Sequence, residues 1–259
     1  KVFTMKIYVC VKHVPDSAAT ITIRENDQID EGVTFLLNPY DEHAVEEAAK
    51  LKARIENSEV IAVTLGKEGA LNTLQSALAM GADRGILIKT DDRVDSILTA
   101  RALKAAIEQD CKPDIIFTGK QSIDSEGMQT MFRLAAALDM PVAINVAAFS
   151  TDANNALVDC EMEAGVRQLL EITLPCVIAA AKDLNKPRYP TFIDIRNAKK
   201  KEIKQISLDS LQLEKPSASM EILELKPAVE QRRAKELKGQ PHEVVEQLIQ
   251  VLRDEAKVI

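Results

Sequence analysis

Apolar runs and helical patterns alternate along the first half of the chain, and this alternation restricts the fold more than any other feature. Strands are predicted over residues 6–12, 60–65, 86–88 and 115–118, and helices over residues 41–56, 68–80, 94–108 and 126–138. The strand runs are nearly all apolar, which is typical of strands buried on both faces of a parallel sheet. A regular alternation of strand and helix indicates an α/β fold with a doubly wound, mostly parallel sheet.

After residue 141 the pattern changes to apolar and polar residues at alternating positions. This is typical of an antiparallel meander, and the predicted strands cover residues 142–149, 155–162 and 166–173. Residues 176–181 are again wholly apolar and are expected to return to the main sheet. Earlier in the chain, residues 20–30 predict a small hairpin.

The C-terminal quarter of the chain has a different character. Residues 204–240 show little periodicity, whereas residues 241–256 predict an amphipathic helix with no obvious place in a closed monomer. We therefore expect an α/β domain over residues 5–203 and an arm over residues 204–259 that packs on another chain. The alternative is an arm that folds back on its own domain.

Charge and composition argue against a nucleic-acid partner. The formal net charge is −7, aromatic residues make up 3% of the chain and Trp is absent. A negative chain does not bind a phosphate backbone through bulk charge, and few aromatic side chains are available for base stacking.

Membrane insertion and metal binding find no support in the sequence either. No apolar run approaches the length of a membrane span, no signal peptide is visible, and Met5 resembles a natural start. The four cysteines are widely scattered and form no CxxC motif, which excludes a typical zinc site or iron–sulfur cluster. Such cysteines suit a reducing compartment, so a cytoplasmic location is expected.

The segment 113–130 predicts an anion site. A buried strand ends at Gly119, and a polar turn leads into a helix expected to start near Asp124, which would cap it. The glycine would let the backbone approach a phosphate, and free N–H groups of the first helical turn would face it. In a doubly wound sheet the ligand lies at the carboxyl ends of the strands, here Val11-Lys12, Leu65-Gly66 and Thr118-Gly119.

Catalytic side chains are not recognisable in this sequence. GxGxxG, GxxxxGK[ST] and GxSxG motifs are all missing, and His13, His43 and His242 lie far apart. His13 follows the first strand and is interpreted as a satisfied loop histidine. No catalytic residue is predicted, and any chemistry should belong to a bound cofactor.

Several segments match one family, in its order and over most of the chain. They are VCVKHVPD at 9–16, NPYDEHAVEEAAKLK at 38–52, ALAMGADRGI at 77–86, GKQSIDSEGMQT at 119–130, LNKPRYPTF at 184–192 and KKK at 199–201. The C-terminal RDEAKVI is also similar. On these segments the chain resembles the beta subunit of electron transfer flavoproteins.

The resemblance implies a Rossmann-like domain that holds an adenine nucleotide, in a heterodimer with an alpha subunit that carries a redox-active FAD. Its C-terminal arm would wrap around that alpha subunit. The implied cofactor-binding residues are Cys10, Asn38, Asp41, Leu65, Gly66, Gly119, Gln121, Asp124, Gly127, Met128, Gln129 and Thr130. Gln129 and Thr130 match the ligand-facing helix start of the family best.

A partner-docking loop is also implied by the resemblance. It comprises Leu184, Asn185, Pro187, Arg188 and Tyr189. Leu184 is expected to stand exposed and insert into a flavin-containing dehydrogenase. The run Lys199 to Lys201 is interpreted as a solvated charge cluster that could also steer an anionic partner surface.

Members of this family differ in the ligand of the beta subunit. One type holds a structural AMP. The electron-bifurcating type holds a second FAD, which takes a hydride from NADH and sends electrons to ferredoxin or flavodoxin and to the alpha-subunit FAD. The Val14-Pro15-Asp16 segment favours the bifurcating type, whereas residues 124–131 depart from both patterns.

Two classes outside the family serve as alternatives. A stand-alone adenine-nucleotide sensor would need a late glycine-rich phosphate loop, and an ATP-pyrophosphatase would need an SGGxDS-like loop after the first strand. Neither loop is present in the sequence.

Overall fold

A computed structural model describes residues 4–24, 28–152, 154–213, 222–226 and 234–259. Its strands are β1 (Met5–Cys10), β2 (His13–Pro15), β3 (Ile23–Arg24), β4 (Gln28–Ile29), β5 (Phe35–Leu37), β6 (Ser58–Gly66), β7 (Arg84–Lys89), β8 (Ile115–Gly119), β9 (Val142–Thr151), β10 (Asn155–Glu161), β11 (Arg167–Thr173), β12 (Cys176–Ala180) and β13 (Ile203–Ser207). Its helices are α1 (Pro39–Arg54), α2 (Ala70–Met80), α3 (Ser96–Asp110), α4 (Thr130–Leu138), α5 (Phe192–Ala198) and α6 (Pro241–Gln250).

Nine of these strands form one sheet in the order β11-β10-β9-β12-β8-β1-β6-β7-β13. Seven of the nine run parallel to one another, namely β9, β12, β8, β1, β6, β7 and β13. The pairs β9–β10 and β10–β11 are antiparallel. The predicted α/β fold, with its parallel centre and added meander, is confirmed.

Two hydrophobic cores lie on the two faces of this sheet. On one face Val9 and Phe117 pack with residues of α1 and α2. On the other face Tyr8 and Ile116 pack with residues of α3 and α4. Because side chains alternate between the faces of a strand, neighbouring residues of β1, β6 and β8 belong to opposite cores.

Strand pairing continues past residue 204, where the arm is expected to begin. Strand β13 pairs with β7 along Ile203 to Ser207, and Leu208 and Leu211 are buried beyond it. The sequence shows little periodicity here because this edge strand pairs with one neighbour only and three of its five residues are exposed. Of the remaining arm, residues 214–221 and 227–233 lie outside the described residues.

One predicted helix boundary is wrong. Helix α4 begins at Thr130 rather than near Asp124 or residue 126, and residues 120–129 form a loop. The predicted hairpin over 20–30 is confirmed as the pair β3–β4, although residues 25–27 are outside the described part. Helix α6 is confirmed, and a short π-helical segment, Val251–Glu255, follows it.

Within the described ranges, every helix is too short or too polar to cross a membrane.

Candidate functional site

A buried carboxylate joins the ends of two neighbouring strands. Asp41, in the first turn of α1, accepts hydrogen bonds from the backbone N–H groups of Lys12 at 2.7 Å and Gly119 at 3.0 Å. Burial raises the pKa of Asp41 to about 7, although these hydrogen bonds oppose the shift. Both carboxylate oxygens are engaged by the chain, so Asp41 positions the strand ends rather than offering a free oxygen to a ligand.

Gly119 is required by the approach of α1. A Cβ atom at this position would lie 2.7 Å from the Tyr40 Cβ and still closer to the Asp41 carboxylate. The sequence predicted a different role for this glycine, namely to let the backbone approach a phosphate. By contrast, a Cβ atom on Gly127 would meet no atom of the described chain within 4 Å, so the loop there is open.

The loop of residues 120–129, called the nucleotide loop below, is held by two side chains from distant parts of the chain. Asn38, which is 1% exposed, donates to the Gln121 carbonyl at 2.9 Å and accepts from the Ile123 amide at 3.1 Å. Lys12 donates from Nζ to Asp124 at 2.7 Å and to two loop hydroxyls. Burial alone would raise the pKa of Asp124, but the bond from Lys12 brings it below its usual value. Asp124 therefore pairs with Lys12 and does not cap α4.

The N-terminus of α4 opens at the end of the nucleotide loop. Gln129 precedes the helix, and no side chain among the described residues caps its first turn, which also contains no acidic residue. Two loop residues before it, Glu126 and Met128, have positive φ angles of 48° and 47°. The first-turn N–H groups and the positive end of the helix dipole are therefore available to an anion.

The floor of the site lies on the sheet face that packs with α3 and α4. Cys10 and Leu65 both belong to this face, and burial raises the pKa of the Cys10 thiol to about 12. Thr118 follows Ile116 on the same face by strand alternation. Its hydroxyl is buried without a hydrogen-bond partner in the described chain. Buried hydroxyls normally have a partner, so this one is free to bond to a ligand that binds beside the strand ends.

The structure brings the predicted site residues to one edge of the sheet. Cys10, Leu65, Gly66 and Gly119 end their strands there, and Gln121, Asp124, Gly127, Met128, Gln129 and Thr130 continue into the nucleotide loop and α4. Asn38 and Asp41 are bonded to this edge, Asn38 at Gln121 and Asp41 at Gly119. Lys12 was not among the predicted site residues, although a cation directly after the first strand was visible in the sequence.

The segment of residues 184–192, called the docking segment below, presents different apolar groups from those expected. Leu184 is partly buried and packs against the core on the α1 and α2 face. Tyr189 and Phe192 are instead 92% and 81% exposed. Ile193 and Ile195 continue this apolar surface along α5. The expectation that Leu184 stands exposed is therefore wrong, and the most exposed apolar residues of this segment follow it.

Comparison with known proteins agrees with this architecture. A model of the electron transfer flavoprotein domain matches residues 28–211. The electron transfer flavoprotein subunit beta of Bacillus subtilis (strain 168) is 33% identical over 259 residues, which cover 98% of this chain and all of the relative.

The chain belongs to the electron transfer flavoprotein beta-subunit family.

Two eukaryotic relatives extend the comparison. The mitochondrial subunit beta of Arabidopsis thaliana is 36% identical over 259 residues, covering 98% of this chain and 100% of the relative. The subunit beta of Homo sapiens is 36% identical over 208 residues, covering 78% of this chain and 81% of the relative.

The lysine run after α5 has two kinds of residue. Lys199 and Lys200 are exposed, as expected of a solvated cluster. Lys201 instead donates to the carbonyls of Leu78 at 2.9 Å and Ala82 at 2.6 Å, at the C-terminus of α2. Burial lowers the pKa of Lys201. This lysine caps a helix and fixes the chain that follows α5.

His13 is structural, as interpreted from the sequence. Its Nδ1 lies 2.7 Å from the Thr73 hydroxyl, and its ring stacks on Phe35 with centroids 4.7 Å apart. The ring is thus engaged on the α2 side of the sheet.

Proposed function

We propose that this chain is the beta subunit of a heterodimeric electron transfer flavoprotein and holds an adenine nucleotide where β1, β6 and β8 end. One observation carries the proposal: the uncapped N-terminus of α4 opens beside these strand ends. Phosphate groups bind at such helix N-termini because the free N–H groups and the helix dipole both favour negative charge. The unmet hydroxyl of Thr118 supports the same location.

The charges around this location suit a phosphate. Two carboxylates of the site are occupied, Asp41 by backbone amides and Asp124 by Lys12. Gln129 and Thr130 add neutral donors at the helix start. A phosphate would therefore meet donors rather than unpaired negative charge.

We further propose that the nucleotide is FAD, as in the electron-bifurcating type. Bound FAD supplies hydride acceptance from NADH and single-electron transfer toward ferredoxin or flavodoxin and toward the alpha-subunit FAD. This chain's residues bind and orient the nucleotide: α4 and Gln129 hold phosphate, and Cys10 and Leu65 form an apolar floor. The Val14-Pro15-Asp16 segment supports the FAD type by resemblance, and AMP in the same place is the alternative.

The alpha subunit is the proposed partner of the C-terminal arm. Helix α6 carries exposed apolar side chains at Val245, Leu248 and Ile249, which are 55%, 45% and 42% exposed. Within the described chain, none of its residues is buried. An amphipathic helix gains stability by covering its apolar side, which here a second chain would do.

The proposed contact with a flavin-containing dehydrogenase is the docking segment and α5. Tyr189 and Phe192 are large, exposed and close in sequence, as expected of anchors that enter a partner. A cytoplasmic location is part of this proposal and agrees with four free cysteines.

Cofactor counting tests the proposal. The chain is purified from its native source with whatever copurifies, the nucleotides are released by acid, and FAD and AMP are quantified per heterodimer. Two FAD and no AMP would support the bifurcating type. One FAD with one AMP would overturn bifurcation but keep the site, and a lone chain or self-dimer without flavin would favour the nucleotide-sensor class.

A further inference from the structure

The docking segment is fixed to α1 by hydrogen bonds to two buried glutamates. Arg188 donates to Glu46 from its backbone N at 3.1 Å, from Nε at 2.7 Å and from Nη2 at 3.1 Å. Asn185 donates from Nδ2 to the His43 carbonyl at 2.9 Å and to Glu47 at 3.0 Å. Glu46 and Glu47 are each only 4% exposed.

Because Glu46 is buried, its pairing with Arg188 restricts the orientation of the docking segment. A buried carboxylate is costly without a charged or hydrogen-bonding partner. Arg188 donates to both carboxylate oxygens of Glu46. The hydrogen bond with Glu46 raises the pKa of Arg188. The planar guanidinium fits a carboxylate in few orientations, so Glu46 restricts the backbone that leads to Tyr189 and Phe192.

The same helix holds the nucleotide loop from its first turn. Asn38 bonds to the loop at Gln121 and Ile123, and Asp41 bonds to Gly119 at the start of the loop. Asp41 and Glu46 are five residues apart on α1, which is about 8 Å along a helix axis. One short stretch of helix therefore contacts both the nucleotide loop and the docking segment.

We propose that Glu46 is a positioning residue for the docking segment, and that α1 couples the order of the nucleotide loop to the order of this segment. This inference rests on the proposed function for the ligand of the loop and the partner of the segment. A nucleotide that immobilises the nucleotide loop also immobilises the start of α1. The docking segment, which is bonded further along the same helix, then separates from α1 less often.

Hydrogen exchange with mass spectrometry tests both parts on the full chain, with AMP as the probe ligand. The variants are Arg188→Gln, which removes the charged partner of Glu46, and Glu46→Gln, which keeps one acceptor. Lys186→Gln is the matched control, because it makes the same charge change at an exposed position of the same segment.

Without AMP, exchange in residues 185–192 should be about tenfold faster in Arg188→Gln than in wild type, the order expected when a charged hydrogen bond is lost. Glu46→Gln should fall between them and Lys186→Gln should match wild type. Equal exchange in Arg188→Gln and Lys186→Gln would overturn the positioning role.

Saturating AMP should protect residues 119–130 in all four proteins, and residues 185–189 in wild type and Lys186→Gln but not in Arg188→Gln. Protection of 119–130 alone in wild type would overturn the coupling while leaving the proposed site intact. Absence of protection at residues 119–130 would count against the AMP-binding site, and it would also overturn the coupling. The exchange rates without AMP would still decide the role of Glu46.

Discussion

The Asp41 carboxylate accepts the backbone amide of Gly119 at 3.0 Å, which ties the first turn of α1 to the end of β8. Burial raises the pKa of Asp41 from 3.8 to about 7. A carboxyl whose pKa rises on folding stabilises the fold below its unfolded pKa, and this contribution is lost as pH rises through the folded pKa. The protein should therefore lose stability between pH 3.8 and about 7, by at most about 1.4 kcal/mol per pH unit from this group.

Asp41→Asn should remove that contribution to the pH dependence, because the amide does not titrate. Urea unfolding across this pH range measures it, with the exposed Asp91→Asn as the control for loss of one carboxyl. The free energy of unfolding of wild type should fall relative to that of Asp41→Asn as pH rises through this range, because only the wild-type carboxyl ionises. Parallel curves for the two proteins would show that Asp41 keeps an ordinary pKa.

Gly119→Ala should destabilise the fold, because its Cβ would overlap Tyr40 and the Asp41 carboxylate. Overpacking of this kind costs about 1–3 kcal/mol. Gly127→Ala is the matched control, since its Cβ meets open space, and it should change the free energy of unfolding by less than about 0.5 kcal/mol. Denaturant unfolding of both variants compares them, and equal stabilities would contradict the role given to Gly119.

The sequence predicted the sheet well and the loops poorly, for a physical reason. Apolar strands such as β8 are specified by their own burial pattern, so their position and type follow from local sequence. The late start of α4 is different, because Asn38 and Lys12 hold the nucleotide loop open from distant positions. Local propensity carries no record of such contacts.

The docking segment shows the same limit. Leu184 looked like an isolated exposed leucine in a Pro- and Lys-rich stretch, but it packs against the core. Whether an apolar residue of a loop faces the core or the solvent depends on where the loop lies in the fold. The Phe192-Ile193-Asp194-Ile195 pattern was available in the sequence as a signal of an exposed apolar surface.

Lys201→Met should destabilise the protein by about 1–3 kcal/mol, because two carbonyls at the C-terminus of α2 lose a charged donor. Lys200→Met removes the same charge at the preceding, exposed position and should be nearly neutral. Thermal unfolding of the two variants separates them. A Lys201→Met protein as stable as Lys200→Met would mean that water satisfies these carbonyls equally well.

Phe192→Ala should weaken docking to the proposed dehydrogenase partner without destabilising this chain, because the side chain is 81% exposed and therefore makes little contact with its own fold. Removing an aromatic anchor from an interface commonly costs 2 kcal/mol or more, which corresponds to about 30-fold weaker binding. Leu184→Ala should do the reverse, since it opens a cavity beside the core and leaves Tyr189 and Phe192 in place. The measurements are the dehydrogenase concentration at half-maximal electron transfer and the urea midpoint of each variant. A docking defect in Leu184→Ala with none in Phe192→Ala would return the anchor to Leu184 and would show that the exposed surface of α5 faces something other than the dehydrogenase.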